Sequence, residues 1–488
     1  MSFSGSYQPP GIYITPQSTP VLASPVTAPT TVALVGPTRG YFTNTDVTVL
    51  PVSPTTYTLS KNGISTASVV VTDAYGNVIS ATGNYTVAQT GTGTATVTTI
   101  TATSGGFFAP ATGAPPTAYI SYQYTDANYG LPNLLSNYNQ VQQAYGTPFD
   151  SNNNLVSPIT LAAQFLYANG SPNVLVVPTA DTNLVATQAN IAAAYTLLES
   201  RNDVSIVVPL PTGITVPATI QGVGTDLRSH CDSMSQQSQW RIGILGYESS
   251  VTTTALNPGQ LPSTGLAPGI GDERVIVAFP NALGYYYQPT NTMMTISGYY
   301  LAAAFAGFLA SNPVQQGLTR QTILGFSGIP ASILSTLSKA NKNTWSAAGV
   351  SVVEPATVNG SPLVCRQGVT TSTTSTVSRE ISLVRAADFM MYDLYNTLMN
   401  SKLIGAPTTA NTPAQVQGMV QGVLDYCVSQ GVIIGYTALQ AVVTSTNPTV
   451  ITVTFAYQPA YPLNYISISF SVNTSTGTIS TGSNLPLA

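Results

Sequence analysis

The spacing of apolar side chains changes several times along the chain, and each spacing predicts a different element. Near the C-terminus Ile451, Val453, Phe455 and Tyr457 alternate with Thr452, Thr454 and Ala456. A second run alternates Ile466, Ile468, Phe470 and Val472 with Ser467, Ser469 and Ser471. A period of two predicts strands with one apolar face. Upstream, Val384, Ala387, Met391, Leu394 and Leu398 recur at helical spacing. They predict an amphipathic helix that Gly405 and Pro407 stop. Thr412-Pro413-Ala414-Gln415 reads as a capping box with proline at the first helical position. Its helix shows Val416, Met419, Val423 and Cys427 on one face and ends at Gly431.

Residues 129–335 mix both periods. Helices are predicted at 158–168 and 217–236, and Leu184, Thr187, Ile191, Tyr195 and Leu198 mark one face of another. Apolar runs at 173–177, 203–208, 240–245 and 274–279 predict strands, and strand–helix repetition indicates an α/β layer. Residues 45–128 differ. Short β-branched runs at 68–72, 85–87, 94–100 and 118–124, separated by turns, predict an inserted β-sandwich-like domain. Residues 31–36 form a short apolar strand before the Gly36-Pro37 turn. Pro9, Pro10, Pro16, Pro20, Pro25 and Pro29 make the first 30 residues an extended arm. The uncharged run 293–310 is almost long enough to span a membrane. Its alanines, Ser297 and tyrosines, without basic flanks, predict a buried helix instead.

The expected fold is therefore a mixed α+β and α/β multidomain chain. It has an arm at 1–30, an α/β middle domain at 31–44 and 129–335, and an inserted all-β outer domain at 45–128. An inner α+β C-terminal domain is expected at 336–472, with a flexible Ser/Thr/Gly tail at 473–488.

Charge then narrows the function. The 488 residues hold 13 Lys+Arg and 17 Asp+Glu, only 6% charged, where about 25% is usual. So few cations leave no footprint for nucleic acid. An ordinary 43% apolar content excludes charge-driven disorder. The widely spaced Cys231, Cys365 and Cys427 fit free buried thiols of a reducing compartment. The opening MSFSGSYQPP has neither a basic region nor an apolar run, so no secretory leader is expected.

The residues offer little chemistry. His230, the sole histidine, lies on a predicted helix and reads as structural. One histidine and three scattered cysteines cannot build a zinc site. Asp388 and Asp393 diverge on their helix. Gly91-Thr92-Gly93-Thr94 precedes no helix, and Gly325-Phe326-Ser327-Gly328 lacks nucleophile-elbow spacing. No catalytic, metal or cofactor site is expected, and the chain does not read as an enzyme. The ends are more informative: residues 1–38 and all residues after Asp425 are uncharged. Uncharged apolar strands pair with other chains unless something prevents it. Strands of this kind at both ends point to strand addition between subunits, with packing inside one chain as the competing reading.

Several motifs, taken in order, resemble one family. Pro10-Gly11-Ile12-Tyr13-Ile14 is similar to the PGVYV opening of contractile phage tail sheath proteins. Val32-Ala33-Leu34-Val35-Gly36-Pro37-Thr38-Arg39-Gly40 resembles the family's next strand and turn. So do the stretches Ser136-Asn137-Tyr138 through Tyr145-Gly146 and LAAQFLYANGSPNVLVV at 161–177. Ser378-Arg379-Glu380-Ile381-Ser382-Leu383-Val384-Arg385 resembles the start of the family's C-terminal domain. Ile404-Gly405-Ala406-Pro407, the capped helix, Gly431 to Gly435 and paired strands around Tyr461-Pro462 complete the likeness. It covers almost everything except 45–128. Thr15-Pro16-Gln17 stands where an acidic residue often follows the opening motif, and Leu463-Asn464 replaces a charge before the final strand.

The resemblance implies a non-enzymatic structural subunit that stacks in six-fold rings around a tail tube. Contraction drives the tube through the host envelope, powered by two alternative packings rather than a nucleotide. Its partners would be copies of itself, the tube, and the baseplate and tail terminator proteins, with no nucleic acid and no direct membrane insertion. It would work in the virion tail after assembly in the host cytoplasm. Gly11, Ile12, Tyr13 and Ile14 would cross to a neighbour, as would a C-terminal strand carrying Ile466, Ile468, Phe470 and Val472. The cations concentrate at Arg320, Lys339, Lys342, Arg366, Arg379, Arg385 and Lys402, facing only Glu354, Glu380, Asp388 and Asp393. Because the family's C-terminal domain lies beside the tube, Arg366, Arg379, Arg385 and Lys402 are candidates to face it. The competing reading pairs Arg385 with Asp388 at i,i+3. The alternative to a sheath is a non-phage surface-layer or adhesin-type polymer.

Overall fold

The computed structural model describes residues 29–38, 42–92, 95–124, 130–150, 152–170, 172–181, 184–251, 265–357, 362–464, 466–467, 471–472 and 479–480. At the centre is an eight-stranded sheet. Its order is Leu363–Cys365, Val350–Pro355, Val275–Phe279, Ile242–Leu245, Val204–Pro209, Thr31–Gly36, Val174–Pro178 and Asn133–Leu135. The inner strands run parallel, and the two edge strands antiparallel. Strands buried on both faces need unbroken apolar runs, and TVALVG and VLVVP supply them. Helices pack on the sheet in two pairs, Pro158–Asn169 with Tyr299–Ser311 and Gln188–Thr196 with Pro217–Gln236. The first pair touches backbone to backbone: a Cβ added at Gly307 would lie 2.1 Å from the Leu166 carbonyl oxygen.

The run expected as one helix at 293–310 is two elements. Thr292–Ser297 is a strand paired with Ala282–Tyr287, and the helix begins at Tyr299. The alternation of Met294 and Ile296 with Met293 and Thr295 is a period-two signal inside an apolar run. Gly298 makes the corner, its N–H donating to the carbonyls of Tyr247 and Asn281. Among the described residues no helix is long and apolar enough to cross a membrane.

Residues 42–124 build two three-stranded sheets. One orders Phe42–Val49, Thr117–Tyr124 and Val70–Thr72; the other orders Tyr57–Asn62, Val97–Ala102 and Tyr85–Thr90. Leu50, Leu59, Val71, Ile100 and Ile120 form a core of their own.

The boundary expected at 336 falls inside the middle domain. Helix Lys339–Ala347 and strands Val350–Pro355 and Leu363–Cys365 belong to the large sheet and its core. The separate C-terminal core is built by helices Ile381–Asn400 and Thr412–Ser429 and the hairpin Ile433–Val443/Ile451–Pro459. Val384, Leu394 and Leu398 of the first helix and Val416, Val423 and Cys427 of the second are buried as expected, while Ala386 and Met390 are buried in place of Ala387 and the exposed Met391. Thr412 is the first helical residue and Asn411 the cap, with no side-chain capping bond. The Thr412 hydroxyl instead accepts from the Thr409 N–H at 2.8 Å.

Candidate assembly interface

The C-terminal hairpin begins where Gly431, at φ 68°, turns the chain out of helix Thr412–Ser429. Ile433–Val443 then pairs antiparallel with Ile451–Pro459. Leu439, Ile451, Phe455 and Tyr457 pack against the helices, and Ile434 and Val442 point outward, each 58% exposed. The pair is a two-stranded sheet, so among the described residues both outer edges lack a strand partner. A hairpin of this kind is marginal alone, and unpaired edges recruit strands.

Among the described residues the 451–459 strand takes 433–443 as its partner, across the short turn that joins them. Ile466 is 76% exposed and outside any strand. Val472 pairs with Ile479 in a two-residue ladder, Ser471–Val472 with Ile479–Ser480. Ile468 and Phe470 lie outside the described residues, as do Gly11, Ile12, Tyr13 and Ile14.

Between the hairpin and Ile466 the chain is pinned by a polar contact. The Asn464 side-chain amide donates to Glu380 Oε2 at 3.2 Å. Glu380 is 4% exposed, and burial pushes its carboxyl up to about 7 despite the Asn464 bond and the nearby Arg379 charge.

Asn464 also lines a cleft of about 410 Å³ with Arg320, Arg366, Arg379 and Glu354. Glu354 receives Lys342 Nζ at 2.5 Å and the guanidinium groups of Arg320 and Arg366 at 3.5 Å each. Arg366 also bonds Asn343, and Arg379 Nη2 donates to the Ser346 carbonyl at 2.6 Å. One carboxylate thus faces an excess of cations, and Arg379 Nε and Ser346 Oγ are buried without a partner.

The structure separates the four predicted tube-facing cations. Arg366 and Arg379 share this cleft. Lys402 is exposed just past the helix Ile381–Asn400, at φ 58°. Arg385 is turned inward, donating through Nη2 to the carbonyls of Leu309 and Asn312, and burial pushes its guanidinium down to about 10. It is half-buried and lines a groove. Asp388 does not pair with it as the i,i+3 spacing offered. Arg274 takes both Asp388 oxygens, at 2.8 and 3.0 Å, tying the middle domain to the C-terminal helix.

His230 stacks on Tyr195 with ring centroids 5.2 Å apart, and burial pushes it down to about 4, so it stays neutral beside Arg241. Cys231, Cys365 and Cys427 are free and buried.

A tail sheath protein of Mycobacterium phage Bxz1 is 31% identical to this chain over 437 residues, 86% of this chain and 70% of that protein. The chain belongs to the tail sheath protein family. No protein-family model matches it. Two solved structures share the fold of this sheath protein across 96% of its length and 100% of theirs, each with a TM-score of 0.54. One is the anti-feeding prophage helical sheath in its contracted state, at 13% identity, and the other the six-fold symmetrised anti-feeding prophage baseplate, at 14%.

Sequence reasoning missed four groups of the sheath protein's clefts and contacts: Arg274, Arg320, Lys342 and Glu354. Each meets its partner only through sheet or helix packing, as Arg274 does with a residue 114 positions away. The one available signal was the local excess of cations between Arg320 and Lys402.

Proposed function

We propose that this sheath subunit polymerises as stacked six-fold rings around a tail tube and contracts to drive the tube through a host envelope. The observation that carries this reading is the C-terminal hairpin, whose outer edges lack a strand partner among the described residues, with outward Ile434 and Val442. Neighbouring copies would complete it, Gly11 to Ile14 adding at one edge and a strand from the 466–472 run at the other. Arms held by main-chain hydrogen bonds would keep the lattice connected while larger domain contacts exchange. The energy of contraction would then lie in the difference between two subunit packings. Partners in this reading are other copies, the tube, the baseplate and the tail terminator, assembled in the host cytoplasm and carried in the virion tail. Arg366, Arg379 and Lys402 are the cations assigned to the tube side.

Negative-stain electron microscopy of the purified chain tests the proposal. Six-fold rings or tubes are expected. A truncation lacking residues 1–14 should give a native circular dichroism spectrum but no polymer. Flat lattices from the full chain, or normal tubes from the truncation, would overturn the strand-addition reading.

A further inference from the structure

We propose that a groove between the middle and C-terminal domains is the docking site for residues 20–28 of the same chain, laid extended along its aromatic wall. The groove measures about 510 Å³. Trp240, Phe389, Tyr392 and Tyr426 line it. Pro29 and Thr30 also line it. These are the first described residues, so the chain reaches the central strand Thr31–Gly36 out of this groove. The preceding segment therefore starts at the groove itself.

The chemistry of that segment matches the walls. Residues 20–28, PVLASPVTA, carry no charge, and a sequence with Pro20 and Pro25 disfavours a helix. Proline-rich segments favour an extended helix without internal hydrogen bonds, and such segments dock on aromatic-lined grooves.

Docking gives the N-terminal arm a fixed origin. From Pro20 back to Ile14 is a reach of roughly 20 Å at full extension. The purpose of that origin rests on the strand-exchange reading above; the docking itself does not.

The test uses Trp240 as the reporter, in a Trp345→Phe background that leaves it as the only tryptophan. Acrylamide quenching is compared in the full chain, in a truncation lacking 1–14 and in one lacking 1–28, all at concentrations where they are monomeric. The first two should quench alike, and the last several-fold more steeply. A synthetic peptide of residues 18–30 should restore the shielding. Equal quenching in all three, or shielding regained only on polymerisation, overturns the proposal. Should the long truncation fail to fold, Val26→Cys with Tyr392→Cys in the full chain keeps the question open to measurement. A short bis-maleimide should link them within one chain, and linkage only between chains, or none, refutes it. If the 1–14 truncation still polymerises while only the 1–28 truncation exposes Trp240, the strand-exchange reading fails and the groove assignment stands.

Discussion

Glu380 is a buried carboxyl that accepts a hydrogen bond from Asn464, at the start of the C-terminal segment. Its value rises from 4.5 to about 7 on folding. The folded protein therefore binds that proton more tightly than the unfolded chain. The stability this contributes is complete below 4.5 and is lost as pH rises through about 7. Glu380→Gln keeps the shape and removes the charge, so it should melt higher than the native protein at pH 8, by the equivalent of about 1–3 kcal/mol. At pH 5 the two should melt alike. Calorimetry at both pH values decides it, and an equal shift at both would assign the effect to packing. None of this was visible in the chain, where Glu380 was one letter of a family motif. Burial and the approach of residue 464 created it.

At the scale of elements, what the local pattern encodes and what packing selects come apart. Apolar spacing correctly marked a helix across 384–398 and the burial of Val384, Leu394 and Leu398, but Ala386 and Met390 are buried in place of Ala387 and Met391. Spacing sets the period; the neighbour, here helix Thr412–Ser429, selects the phase. The contact between Pro158–Asn169 and Tyr299–Ser311 shows the same dependence. Gly307→Ala is a favourable change for an isolated helix. In the protein the new Cβ would meet the Leu166 carbonyl oxygen at 2.1 Å. The helices must separate, and the variant should lose about 1–3 kcal/mol in urea denaturation. Gly435→Ala in the hairpin meets nothing within 4 Å and serves as the control, within about 0.5 kcal/mol of the native protein. Equal stability of the two variants would refute the close-packing account.

For the whole molecule the question is where so few charges are spent. Of 13 basic residues, Arg320, Lys342, Arg366 and Arg379 converge around Glu354. If this cleft meets the tube, Arg366→Gln with Arg379→Gln should weaken co-sedimentation with tube roughly tenfold or more. Unchanged co-sedimentation would remove the cleft from the tube interface. The sequence by itself determined the class of many segments, though not the strand inside 293–310: apolar runs for the parallel strands and helical spacing for the C-terminal helices. Those properties are local, set by the alternation of side chains and by proline and glycine chemistry. Only the tertiary structure decided that 451–459 pairs with 433–443, that Arg274 rather than Arg385 holds Asp388, and that the large sheet runs on to Cys365. The physical reason is the same in each case. Several partners satisfy the local pattern equally well, and the choice among them is made by groups far apart in the chain that compete for the same edge, carboxylate or buried face.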